Sequence, residues 1–365
     1  MTYTTLFRRI IRTGIALLVL VPSILLSQDR PDNIILFIGD GLGTAHLSAL
    51  TFLTDDAALQ EFPVAAFVAT QSASHFVTES AAGGTALSTG YRTDSDFVAM
   101  LPDRTPLRTL LEFAKLHGKA VGVVATSSVT HATPAAFLAH VPSRRMQYDI
   151  AVQIAESGAE VVIGGGTKWF LPKAAGGGRD DGRNLLAEME QSAYTVARGR
   201  DYKHEGAEKL IWLLAEDAMP AAGKRKPPMS RMVEVALDVL SRNPNGYVLM
   251  VEGSRIDWAA HDNDFRTLKA ELLDFHSGIR AALDYTRGDD ATAIVVTSDH
   301  ETGGLALQGR KPDGSDMYAE WTTKAHSGAH VPLLAKGPGS ERFGGIHRND
   351  EIGRLLFSLI ADIEF

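Results

Sequence analysis

No cysteine occurs in the 365 residues. Disulfide staples, thiol nucleophiles and cysteine metal sites are thereby excluded, so the fold rests on its core alone and any metal must be held by oxygen and nitrogen. Nor is there an excess of basic charge: 36 lysines and arginines stand against 44 acids, a net charge of −8. A general nucleic-acid binder needs a basic face, which this balance does not offer, although a local basic pocket remains compatible with it. No internal repeat is visible, which removes solenoids and propellers. Charged residues are 22% and apolar ones 45%, the mix of a globular protein rather than a disordered one. A chain of this length supports one large core, or one core with a small accessory lobe.

The N-terminus has its own pattern. Arg8, Arg9 and Arg12 precede an apolar segment from Thr13 to Leu26, and Ser27 offers a small residue for cleavage. Residues 1 to 28 read as an export signal and residues 29 to 365 as the folded part, which places the protein in the periplasm or outside the cell. The apolar segment is short for a membrane span. Leu25 is unfavourable at a cleavage site, so an uncleaved anchor stays open.

Asn33-Ile34-Ile35-Leu36-Phe37-Ile38-Gly39 is a continuous apolar run, the pattern of a strand buried on both faces. It ends in Asp40-Gly41. Tyr247 to Val251 likewise ends in Glu252-Gly253, and Thr292 to Ser298 in Asp299-His300; Ala120 to Thr126 and Glu160 to Ile163 are two further runs. Helical patterns lie between them at Pro106 to His117, Tyr148 to Ser157, Arg231 to Arg242, Phe265 to Tyr285 and Asp350 to Ala361. Alternating strands and helices predict an α/β fold with a mainly parallel central sheet and helices on both faces. Lys173 to Arg183 and Ala221 to Pro228 read as flexible surface loops, and a small excursion is expected between Thr302 and Ala325.

Ligands of such sheets bind at the carboxyl ends of the strands, and three strands deliver acids there. Asp40, Glu252, Asp257, His261, Asp299, His300 and His326 form a set of carboxylates and imidazoles. That mix suits zinc, with an oxygen-rich corner for magnesium. Converging without a cation, these groups would be costly to desolvate. Asp257 and His261 are four apart and share a face if their segment is helical. Ser80 precedes a run of small residues, Ala81 to Ser88, that tolerates helix up to Gly90. It would sit at a helix N-terminus, a place suited to phosphate, or serve only as the helix cap.

These blocks, in this order from Asn33 to about Pro338, resemble the alkaline phosphatase family. The residues that carry the resemblance are Asp40-Gly41; Glu79-Ser80-Ala81 with Thr85 and Ser88-Thr89-Gly90; His131-Ala132-Thr133-Pro134 with Ser143-Arg144; Glu252-Gly253 with Asp257 and His261; Thr297-Ser298-Asp299-His300; and His326-Ser327-Gly328 with Gly337-Pro338. The resemblance implies an alkaline-phosphatase-like fold and a site for two zinc ions and one magnesium. Asp257, His261 and His326 would hold one zinc, and Asp40, Asp299 and His300 the other. Asp40 would also bridge to the magnesium, shared with Thr133 and Glu252. Ser80 would be the nucleophile and pass through a phosphoserine, Arg144 would grip two phosphoryl oxygens, and the substrates would be phosphate monoesters of broad kind, turned over at an alkaline optimum. Dimerisation is common in the family, but the short excursion makes a homodimer less secure here. Neither a nucleic-acid module nor a membrane span beyond the N-terminal segment is expected.

Three positions depart from the pattern. Glu79 replaces the usual aspartate and puts the orientation of Arg144 in question. His131 stands where some members carry aspartate, and its nitrogen would favour zinc over magnesium. Trp258 follows Asp257 where some members carry lysine. The competing readings are a phosphodiesterase or sulfatase of the same superfamily, and an inactive protein that binds phosphate or metal. The other histidines, from His46 to His347, are expected on the surface or in the core.

Overall fold

The computed structural model describes residues 30–200, 206–312 and 316–365; the export signal expected over residues 1 to 28 lies outside them. The strands in chain order are β1 (Asn33–Ile38), β2 (Val64–Ala69), β3 (Ala120–Ser128), β4 (Val161–Gly165), β5 (Thr195–Arg198), β6 (Leu210–Leu213), β7 (Tyr247–Glu252), β8 (Thr292–Thr297), β9 (Glu301–Thr302), β10 (Leu305–Arg310), β11 (Met317–Trp321), β12 (His326–Ser327), β13 (Val331–Lys336) and β14 (Gly345–Arg348). The helices are α1 (Thr44–Leu53), α2 (Ser80–Thr89), α3 (Leu110–Leu116), α4 (Ala132–Leu138), α5 (Gln147–Glu156), α6 (Thr167–Phe170), α7 (Leu185–Gln191), α8 (Met229–Leu240), α9 (Arg255–His261), α10 (Phe265–Tyr285) and α11 (Asn349–Ile360).

Among the described residues one ten-stranded sheet runs in the order β14-β2-β13-β8-β1-β7-β3-β4-β6-β5. Its neighbours are parallel except at β13, which is antiparallel to both β2 and β8. The continuous apolar runs are explained by two cores, one on each face. Ile34, Leu36 and Ile38 of β1 pack into the core shared with α3, α4, α5, α7 and α11, while Ile35 and Phe37 pack into that of α1, α8 and α10. Successive strand residues point to opposite faces, so a strand covered on both sides can spare no position for a polar residue.

The five expected strands and the five expected helices are all present, with shifts of a few residues at their ends; the first helix starts at Leu110 because Thr109 and Glu112 form a capping box there. The expected excursion is the β10–β11 hairpin, closed at its base by β9 pairing with β12. The two expected surface loops are more firmly held than their composition suggested. Each buries an arginine: Arg179 donates to the carbonyls of Tyr148 and Trp169, and Arg225 pairs with Glu271 and Asp274 of α10. Among the described residues no helix is long and apolar enough to cross a membrane.

Candidate metal and phosphate site

Four adjacent parallel strands, β8, β1, β7 and β3, end at one edge and bring the ionisable residues together. Asp40 lies two residues beyond β1, Glu252 closes β7, and Asp299 and His300 follow β8. The turn beyond β3 leads into α4, with His131 at its N-cap and Thr133 in its first turn. Asp257 and His261 lie one turn apart on α9, and His326 opens β12. Glycine is required at two of these approaches. Gly41 has φ +75°, and a Cβ there would come within 2.9 Å of Asp257 Cα; a Cβ on Gly83 would come within 2.9 Å of the Asp299 carbonyl oxygen, blocking the approach of α2.

Asp257, His261 and His326 form the first group. Each imidazole has its Nδ1 fixed by a backbone carbonyl, His261 by that of Lys324 at 2.6 Å and His326 by that of Thr78 at 2.8 Å. Nδ1 is therefore the donor, and both Nε2 lone pairs turn inward, 3.1 Å apart and within 3.5 Å of Asp257 Oδ1. Three acceptors facing one another demand a shared proton or a cation, and carbonyl-anchored imidazoles are the usual second shell of a metal. Burial alone would raise the Asp257 carboxyl, but the neighbouring His326, His300 and His261 rings and the Thr302 hydroxyl hold it well below the usual range.

Asp40, Asp299 and His300 form the second group, fully buried, with His300 Nε2 3.5 Å from Asp40 Oδ1 and 3.3 Å from Asp299 Oδ2. Its tautomer is set through Thr302. That hydroxyl donates to Asp257 Oδ1 at 2.5 Å and so must accept from His300 Nδ1 at 3.3 Å, which leaves the Nε2 lone pair facing the acids. The third group is Asp40, Glu252 and His131, with the buried Thr133 hydroxyl beside Glu252. Both oxygens of Asp40, one each of Glu252 and Asp299, and the Thr133 hydroxyl are buried with no hydrogen-bond partner. Orphaned buried acceptors in such number are strongly destabilising on their own. Burial, then Asp299, Asp257 and Glu252, pushes the Asp40 carboxyl well above its usual range, and burial lifts Glu252 to about 7.

Ser80 stands between these groups and the phosphate-binding side. It is the first residue of α2, and its Oγ lies 3.3 Å from His300 Nε2. The helix cap is Glu79, not Ser80: its carboxylate accepts from the backbone N–H of Ala81 and Ala82, each at 2.9 Å, and of Asp96 at 3.0 Å. The same carboxylate takes Arg144 Nη1 at 2.5 Å, so the longer side chain still reaches and orients the arginine. Arg144 Nη2 lies 3.2 Å from His131 Nε2, which must then accept. Burial, with Arg144 next, pulls the His131 imidazole down to about 4 and keeps it neutral. Trp258 packs its ring edge-on to His131, with Arg255 over its own face.

All ten residues expected at the site therefore converge. Thr302 and the Thr78 carbonyl were not anticipated, and only Thr302 had a signal, its place one residue after the Asp299-His300-Glu301 turn.

A family model described as alkaline phosphatase matches residues 31–320. Alkaline phosphatase 3 of Bacillus subtilis (strain 168) is 30% identical, the match covering 92% of this chain and 90% of that protein. Among solved structures, the alkaline phosphatase from the Antarctic bacterium TAB5 superposes with a TM-score of 0.85 at 33% identity, covering 91% of this chain and 98% of its own. A TAB5 variant with a histidine changed to aspartate, described with magnesium in its M3 site, superposes equally well: TM-score 0.85, 33% identity, and the same shares of 91% and 98%.

Proposed function

The chain belongs to the alkaline phosphatase family, and from that premise we propose that it hydrolyses phosphate monoesters in two steps through a phosphoserine at Ser80. The observation that carries the reading is the Ser80 hydroxyl, at the start of a helix, 3.3 Å from His300 in a nest of buried acceptors that have no donors.

The residues fit cations on the chemistry of their own atoms: inward lone pairs in the first group, orphaned carboxylate oxygens in the second and third. Asp257, His261 and His326 would hold one zinc, Asp40, Asp299 and His300 a second, and Asp40, Thr133 and Glu252 a magnesium. Such ions, when bound, supply positive charge to the attacking and leaving oxygens of an in-line displacement. His131 would incline the third group toward zinc only if its Nε2 lone pair were released from Arg144; a histidine-to-aspartate variant of a relative is described with magnesium in its M3 site.

The chain's own groups do the rest. Ser80 Oγ forms a bond to phosphorus as the bond to the alcohol oxygen breaks, and the alcohol leaves with a proton. Water then displaces the Ser80 oxygen and releases inorganic phosphate. Arg144, braced by Glu79, presents its planar fork to two non-bridging oxygens. That grip favours a monoester over a diester, which has one fewer charged oxygen, and it makes binding depend little on the alcohol. Export through residues 1 to 28 belongs to the same proposal.

The test is turnover of a chromogenic aryl phosphate at alkaline pH by wild type and Ser80→Ala, before and after chelation and readdition of zinc and magnesium. Chelator-sensitive activity, restored by metal and abolished in Ser80→Ala, is the expected result. A fully metallated protein that binds phosphate yet releases none from the ester would overturn it in favour of a binding protein.

A further inference from the structure

Residues 70–79 link β2 to α2 and run beside the first group. Two neighbours in this link, Phe76 and Val77, are 66% and 39% exposed. Scattered apolar residues on a surface need no explanation, but this aromatic ring has a particular neighbour. It lies against Gly328, where even a Cβ would come within 2.1 Å of the ring Cε1. Gly328 is two residues beyond His326, and Thr78, two residues beyond Phe76, holds His326 Nδ1 through its carbonyl. The ring thus lies beside the two segments that carry and orient the histidine of the first group, and most of it is exposed.

The reaction geometry says what would meet that face. Ser80 lies in the second group, beside His300. In the reading proposed above, an in-line displacement would send the alcohol out on the side opposite Ser80, and a cation held by Asp257, His261 and His326 for the leaving oxygen would make theirs that side. We infer that Phe76, flanked by Val77, is a platform for the alcohol portion of the substrate and selects aryl and other apolar phosphate monoesters over polar ones. The inference rests on the hydrolytic reading above and deepens it. A different opening, of about 590 Å³, lies beside Arg144, with Ser95, Asp96, Arg145 and Gln147 on its wall. It flanks the oxygens that Arg144 grips rather than the path of the departing alcohol.

The test compares phenyl phosphate with glycerol 2-phosphate on wild type, Phe76→Ala, Phe76→Trp and Arg145→Ala. It adds calorimetric titration of the metal-loaded proteins with phenylphosphonate and methylphosphonate, which are not hydrolysed. Phe76→Ala should lower kcat/KM for phenyl phosphate about 3- to 10-fold, the range of a lost aromatic contact, and weaken phenylphosphonate alike. Glycerol 2-phosphate and methylphosphonate should change less than about twofold on the same scale, and Phe76→Trp should keep the preference. Equal losses for both substrates would overturn the inference, since the ring would then only brace Gly328 and His326. So would no loss at all, or a shift in preference with Arg145→Ala instead. No turnover of either ester by the metal-loaded wild type would defeat the hydrolytic reading separately, while the phosphonate titrations would still judge the platform.

Discussion

Glu79 performs two tasks with one carboxylate, and Glu79→Gln separates them. One oxygen accepts from Ala82 and Asp96, and the other from Ala81 and Arg144. A glutamine has a single acceptor oxygen. If it serves Ala82 and Asp96, its NH2 is turned against the Ala81 N–H and the Arg144 guanidinium, donor against donor. The side chains of the pair are 20% and 24% exposed, so water offers only partial relief. The lost charge-assisted bond should cost about 1 to 3 kcal/mol of folding stability. Arg144 would keep only His131 as a partner, and its fork would no longer be aimed. We expect kcat/KM for an aryl phosphate to fall on the order of tenfold or more, with weaker inhibition by inorganic phosphate, because a misaimed fork loses roughly 1.4 kcal/mol or more of oxyanion binding. Urea denaturation of the metal-loaded proteins and steady-state kinetics measure the two effects. The sign with pH follows from the sum of its contacts: burial alone would raise the Glu79 carboxyl, but Arg144 and the backbone N–H groups of Ala81, Asp96 and Ala82 together hold it below its ordinary value. A lowered carboxylate pKa stabilises the fold above the unfolded value of about 4.3, and the contribution fades as pH falls through the folded value. Wild type and variant should therefore converge in stability in acid and differ fully at neutral and alkaline pH. A Glu79→Gln enzyme equal to wild type in both stability and kcat/KM would refute the argument.

Thr302→Val removes the hydroxyl that joins Asp257 to His300 while keeping the side chain's volume. Zinc affinity, read from activity against free zinc concentration, should fall about 10- to 100-fold, with most of kcat recovered at saturating metal; an unchanged zinc dependence would count against the relay. Arg225→Met strands two carboxylates, because Arg225, Glu271 and Asp274 have side chains only 1%, 2% and 9% exposed. The loss should be about 3 to 5 kcal/mol in chemical denaturation, and a loss below about 1 kcal/mol would show that water reaches the cluster.

Much of the site could be read along the chain because most of the candidate ligands sit at a strand end or one helical turn from another. Asp40, Glu252, Asp299 and His300 follow apolar runs that can only be buried strands, and the carboxyl ends of such strands share an edge. Asp257 and His261 needed only the four-residue spacing of a helix. The antiparallel β13, its neighbour β2 and the edge strand β14 were not legible. β2 alternates exposed and buried residues over a short, alanine-rich segment, and nothing in it says which neighbour it will take.

By itself, then, the sequence determined which donor atoms exist, that none is a thiolate, and at which ends of which strands they stand, since hydrophobic periodicity and chain breaks are local properties. Tertiary structure alone decided how those atoms are grouped and in what state. The His326 ring is oriented by Thr78, 248 residues away, and Arg144 is aimed by Glu79, 65 residues away. His300 shows its lone pair to Asp40 because Thr302 has already committed its proton to Asp257. A tautomer or an ion pair depends on what lies within about 3 Å, and that neighbourhood exists only once the sheet has brought distant segments to one edge.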